Sequence, residues 1–178
     1  MDVKLINPFI NATLNVLQTM AFVKCQAGKP YLKKDNVAQG DVSGIIGFTG
    51  EQNGTVSVTF DELCILKVVS NMFGEEMKEL NDEVTDAVGE ITNMISGQAR
   101  KELEEMGRLF HGAIPTVITG KNHKIESTTK GPKIAIPFTI DAGTFTIVVC
   151  LEMESDKTKS LSGLELFSLE IAQWMFLF

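Results

Sequence analysis

Cysteine is scarce in this sequence. The 178-residue chain has three, Cys25, Cys64 and Cys150, too few and too scattered for a disulfide framework or a zinc ribbon. Each is expected to fill an interior position instead. Long apolar runs are also missing: no stretch reaches the ~18 uninterrupted apolar residues of a membrane span. Met1 to Leu5 includes an acid and lacks the basic-then-apolar pattern of a leader segment. Positive charge is in deficit, with 16 Lys+Arg against 23 Asp+Glu and a net charge of −7, which argues against nucleic acid or an anionic membrane as partner. The acids are dispersed, so no acidic arm stands apart. With 44% hydrophobic and 22% charged residues the chain can bury a real core, and its length fits one domain. The expectation is a soluble, cytoplasmic domain.

Periodicity gives the order of elements. Ile6, Phe9, Ile10, Leu14, Leu17 and Met20 recur at helical spacing from about Leu5 to Ala21, with Pro8 in a first turn that tolerates it. From Val23 to Asn36 the pattern is extended, punctuated by Lys and Gly. Ile45 to Thr49 and Thr55 to Phe60 read as strands joined across Glu51-Gln52-Asn53-Gly54, a hairpin signal. Asp61 is placed to cap a second helix, with Leu63, Leu66, Val69 and Met72 on its buried side and Gly74 as its stop. A third helix runs from about Asp82 to Met106 and ends at Gly107. Thr116 to Thr119, Ile134 to Ile140 and Thr144 to Leu151 follow as strands.

Two strand pairs echo one another. Ile46-Gly47-Phe48-Thr49, a turn and Gly54-Thr55-Val56-Ser57-Val58 resemble Ile136-Pro137-Phe138-Thr139, a turn and Gly143-Thr144-Phe145-Thr146-Ile147, and each pair follows a long helix. A duplicated helix-plus-strands unit around one sheet is the expectation, in an α+β fold with long helices packed on an antiparallel sheet and an internal pseudo-two-fold repeat. Residues 1–152 form that domain. Beyond it, Met153 to Ser160 reads as a polar linker. Leu161 to Phe178 is an apolar tail, expected to dock on this domain or on a second copy; Glu165 and Glu170 are its only charges, so a membrane-surface helix is disfavoured.

The third helix holds the chemistry. At about 100° per residue, Val84, Ala87, Val88, Ile91, Met94, Ile95, Gln98, Ala99 and Met106 form an arc that faces the core. Opposite them Asp86, Glu90, Asn93 and Gly97 fall within about 60° of one another, flanked by Gly89. Glycine inside a helix costs about 1 kcal/mol relative to alanine, and solubility does not require it; close approach of another backbone does. Asn is likewise a modest helix former. A docking surface accounts for these choices better than a merely solvated face.

Asp86-x3-Glu90-x2-Asn93, followed by Pro115 after 21 further residues, resembles the signature of the CheC/CheX/FliY phosphatases of bacterial chemotaxis. Ala87-Val88-Gly89-Glu90-Ile91-Thr92-Asn93-Met94 with Gly97 is similar to CheX-like members in particular. Leu66-Lys67-Val68-Val69-Ser70-Asn71-Met72 and Pro115-Thr116-Val117-Ile118-Thr119-Gly120 extend the likeness over residues 1–152. The resemblance implies hydrolysis of the aspartyl phosphate of a CheY-like response regulator. CheC-like members carry two copies of the motif, whereas CheX-like members carry one and dimerise. Glu90-Asn93 is the only Glu-x2-Asn here, because the first helix offers Asn7, Asn11 and Leu14 at the matching spacing, so a homodimer is implied.

An acyl phosphate is already activated and needs a positioned water more than a nucleophile. An amide can donate to and accept from that water without titrating, which suits Asn93. By the resemblance, Glu90 pairs with a lysine of the regulator's active site, while Asp86 extends the contact or is simply solvated. No carboxylate cluster is spaced to hold Mg²⁺, so no cofactor of its own is expected and the Mg²⁺ comes with the regulator. His111 and His123 read as surface histidines without a Ser or Cys nucleophile pattern, Gly120-Lys121-Asn122-His123-Lys124 lacks a phosphate-loop spacing, and Pro115 marks the start of a strand. The competing expectation is a non-catalytic module that docks a response regulator or a flagellar-switch component through the same face.

Overall fold

The structure, a computed structural model, describes residues 3–127 and 129–152. A 3₁₀ turn at Val3–Leu5 leads into α1 (Asn7–Met20), followed by short strands β1 (Gln26–Ala27) and β2 (Tyr31–Lys33). The hairpin of β3 (Val42–Gly50) and β4 (Gly54–Phe60) precedes α2 (Glu62–Phe73) and α3 (Asp82–Glu105). Then come β5 (Phe110–Gly112), β6 (Thr116–Thr119) and the hairpin of β7 (Lys133–Ile140) and β8 (Gly143–Leu151). The expected tail and linker lie outside the described residues.

All strands join one antiparallel sheet in the order β1-β7-β8-β4-β3-β5, with β2 beside β7 and β6 beside β3. The repeat expected from the echo is therefore intertwined. Each half supplies a helix, two short strands and a hairpin, and its short strands pair with the other half's hairpin: β1 and β2 with β7, β5 and β6 with β3. The halves meet at β4–β8, where Gly54 stands opposite Leu151 and Phe60 opposite Phe145.

Pairing register corrects half of the echo. Phe48 and Phe138 are equivalent, but Phe48 faces Gly54 whereas Phe138 faces Phe145, two residues past Gly143. A slip of two leaves every side chain on its original face. It also places Phe145 between Phe138 and Phe60, with ring centroids at 4.9 and 5.0 Å. Such stacked pairs add to the area that each ring buries.

Alternation decides what the sheet shows the helices. Val42, Ile46, Phe48, Val56, Val58, Phe60, Ile134, Ile136, Phe138, Phe145, Ile147 and Val149 form the core with Phe9, Leu17, Ile65, Ile91, Ile95 and Leu103. α1 follows its wheel except that Met20 is 40% exposed. In α2 the wheel is rotated: Cys64, Ile65, Val68 and Val69 are buried, while Leu63 is 71% exposed. Both stripes of this short helix are apolar, so period alone could not choose. The N-cap at Asp61, which accepts from the Cys64 N–H at 2.8 Å and from the Thr144 N–H of β8 at 2.6 Å, fixes the choice. Cys64 and Cys150 are interior as expected, and burial pushes the Cys64 thiol well above its usual range; Cys25 is only half-buried.

Phe22, just past the end of α1, has φ +54° and is 76% exposed. Left-handed backbone costs a residue with a Cβ about 1–2 kcal/mol, and glycine escapes that cost. Phe22→Gly is therefore expected to raise stability by about 1 kcal/mol, less what glycine's looser unfolded chain removes. The midpoint of urea unfolding reads the change, and a fall of that midpoint contradicts it.

Candidate functional site

The site is built on α3. Asn81 caps the helix, its Oδ1 accepting from the Val84 N–H at 2.9 Å, and Asp82 and Glu83 place negative charge in the first turn, where the helix dipole favours it. At the other end Gly107, with φ +82°, turns the chain towards β5. Val84, Ala87, Val88, Ile91, Ile95 and Ala99 are buried as the wheel requires. Met94 is half-buried against the core, Gln98 faces α1 and Met106 is 46% exposed, so the apolar arc is narrower than its sequence pattern.

Two features lock the helix in place. Along one flank α1 runs antiparallel to it, Asn11 Nδ2 donating to Glu102 Oε1 at 2.9 Å and Asn15 Nδ2 to Gln98 Oε1 at 2.8 Å. Beneath it, Thr92 rests on Gly44 of β3 and donates to the Val88 carbonyl at 2.7 Å. A Cβ at Gly44 would lie 2.0 Å from Thr92 Oγ1, so glycine there permits the close approach of helix to sheet. Asn93 is the next residue, and its placement follows from that contact.

Asp86, Glu90 and Asn93 are exposed along the outer line of α3. Among the described residues, none of their side chains is engaged in a hydrogen bond or ion pair. Gly97 is half-buried on the same line. Gly89 departs from the sequence reading. It is buried, and a Cβ there would stand 3.4 Å from Val117 Cγ2 of β6, so its backbone faces this protein's own strand rather than an open groove.

Farther along the helix, a Cβ at Gly112 of β5 would lie 2.8 Å from Arg100 Cζ. The contacts at Gly89 and Arg100 bracket the connection from β5 to β6, so Ala113, Ile114 and Pro115 run beside the stretch of α3 that holds Asn93 and Gly97. Pro115 thus stands at the flank of the site as well as before β6. Arg100, which the sequence reading did not single out, lies one step past Gly97 on the same line of the helix. His123 is corrected too: half-buried, it bridges the Gly120 carbonyl at 2.7 Å and Ser43 Oγ at 2.8 Å on the other face of the sheet, whereas His111 is exposed. Among the described residues no group of three or more His, Cys, Asp or Glu stands together to hold a metal ion, and no helix is long and apolar enough to cross a membrane.

Long helices on an antiparallel sheet, joined by an intertwined repeat and presenting an acid and an amide in adjacent turns, define a protein of the CheC-like class. A CheC-like superfamily structure from Shewanella is 47% identical, with a TM-score of 0.81 over 86% of this chain and 100% of that one. Residues 42–139 match the family described as chemotaxis phosphatase CheX. The CheY-P phosphatase CheX of Thermotoga maritima is 30% identical over 128 residues, 71% of this chain and 83% of that protein. A complex of CheX with CheY, BeF3 and Mg²⁺ from Borrelia burgdorferi is 28% identical, with a TM-score of 0.72 over 83% of this chain and 97% of that one. The chain belongs to the chemotaxis phosphatase CheX family.

Proposed function

We propose that this protein hydrolyses the aspartyl phosphate of a phosphorylated CheY-like response regulator in the cytoplasm. The observation that carries the reading is the pair Glu90 and Asn93, both exposed and, among the described residues, unengaged on a helix locked from below by Thr92 on Gly44. Family membership supports it.

In this mechanism Asn93 holds a water in line with the phosphorus, its amide accepting from the water on one side and leaving the other lone pair for attack. The water oxygen bonds to phosphorus as the bond to the aspartyl oxygen breaks, giving phosphate and a free carboxylate. Glu90, one turn away, pairs with a lysine of the regulator and sets the register of docking. Asp86 lies a further turn back and extends the same contact. Mg²⁺ neutralises the phosphoryl oxygens and enters with the regulator, in keeping with the Mg²⁺ of the Borrelia complex. Two copies of the chain are expected to pair through a sheet edge.

The test is the decay of a ³²P-labelled regulator in Mg²⁺ with catalytic amounts of this protein. Accelerated loss supports the reading, and unchanged decay with retained binding leaves a docking module. Glu90→Ala is expected to raise KM about tenfold and to lower turnover as well, read from the same decay at several regulator concentrations.

A further inference from the structure

We propose that Arg100 and Ile114 form a second docking rim for the regulator, beyond Glu90 and Asn93, in which Arg100 receives a carboxylate of the partner and Ile114 makes an apolar contact beside it. The inference rests on the reading of the Glu90–Asn93 face given above.

Arg100 makes no hydrogen bond or ion pair among the described residues, and its Nε is buried. With Nε covered by this chain, a carboxylate arriving from outside meets the Nη end of the guanidinium. The guanidinium packs on β5. Gly112 makes room for it, since a Cβ there would come within 2.8 Å of Cζ and 3.0 Å of both Nε and Nη2. A Cβ at Gly97 would stand 3.9 Å from Nη2, so the guanidinium lies beside that position of the same line. Asn93, Gly97 and Arg100 follow one another at helical spacing on one line.

Ile114 is a large apolar side chain left 88% exposed. The backbone beneath it is fixed, because the Ala113 N–H donates to the Gly47 carbonyl at 2.9 Å and Thr116 pairs with Ile45. An exposed apolar side chain on fixed backbone and a cation with no ion pair among the described residues therefore flank the same stretch of α3.

Charge identifies the occupant. A partner site that holds Mg²⁺ and an aspartyl phosphate is built of carboxylates, and a chain with net charge −7 approaching it needs a local cation. Guanidinium is the group suited to a carboxylate in bidentate geometry.

Calorimetric titration with a CheY-like regulator loaded with beryllofluoride and Mg²⁺ tests the rim separately from catalysis. Arg100→Met and Ile114→Ser are each expected to weaken Kd by about tenfold, while kcat stays within about twofold and the melting temperature does not fall. Arg100→Met should also flatten the salt dependence of Kd. An unchanged Kd removes that residue from the rim, and a weaker Kd matched by a lower melting temperature makes its role structural; either result overturns its assignment. If Asn93→Ala hydrolyses as fast as wild type while both rim variants bind weakly, the water-positioning role fails and the rim stands. A wild-type chain that does not bind the loaded regulator overturns both.

Discussion

Replacing Asn93 by alanine is expected to slow the catalysed decay of the phosphorylated regulator by about 10²-fold at saturating regulator, equivalent to ~2.7 kcal/mol of transition-state stabilisation. Binding should be largely kept, because the docking contacts are assigned to other side chains. Folding stability should be unchanged or slightly raised, since Asn93 is exposed, makes no hydrogen bond among the described residues, and yields to a better helix former. The measurements are single-turnover decay, Kd for the beryllofluoride-loaded regulator, and urea unfolding. A rate equal to wild type would exclude water positioning by this amide. A rate loss that tracks a loss of binding would move Asn93 from the chemistry to the docking surface.

The contrast with Glu90→Ala is informative. A side chain that docks the regulator and sets its register changes KM and turnover together, whereas one that acts only on the attacking water changes turnover alone. Asn93→Asp separates the two functions of the amide. It keeps an acceptor for the water but adds negative charge facing an anionic phosphoryl group, so the rate should fall at least as far as in the alanine variant.

Much of this site was legible because a helix imposes one period. Asp86, Glu90 and Asn93 fall on one line whatever the rest of the fold does, and their exposure follows from the burial of Val84, Val88, Ile91 and Ile95 opposite. The far end of the helix was equally readable, since Gly107 marks it by its own chemistry. Where period was ambiguous, tertiary contacts decided. α2 has two apolar stripes, and the bonds at its N-terminus choose between them: Asp61 accepts from the Cys64 and Thr144 N–H groups, and Asp41 accepts from the Glu62 N–H.

Non-local pairing accounts for the other differences. β5 is three residues long and exists because Phe110, His111 and Gly112 meet the edge of β3, a meeting without a local signature. The slip of β8 against β7 depends on the stack of Phe60, Phe145 and Phe138, which come from three strands. Gly89 shows the same limit from the opposite side. Its position on the wheel suggests an open floor, but the neighbour it faces is Val117, 28 positions away in sequence and adjacent in the fold.

Gly44→Ala should have the largest effect on stability, and it acts on the site from beneath. The new methyl would be placed 2.0 Å from Thr92 Oγ1, 2.8 Å from its Cβ and 3.2 Å from its Cγ2, in a part of the core where β3, β6 and α3 are already in contact. Overpacking of this kind costs roughly 1–3 kcal/mol, and the rigid backbone on both sides puts this case at about 3. The helix must lift or shift to accommodate the methyl, moving Asn93 with it. A displacement near 1 Å at a positioning residue can cost about 10²-fold in rate, so activity should fall although no group at the site has been changed. Pairing the substitution with Thr92→Ala removes Oγ1 and Cγ2 but leaves the Cβ, so stability and activity should both recover in part. In Asn93→Ala, activity falls and stability does not. If Gly44→Ala instead unfolds at the wild-type urea concentration, the close contact between β3 and α3 is not what holds the amide in place.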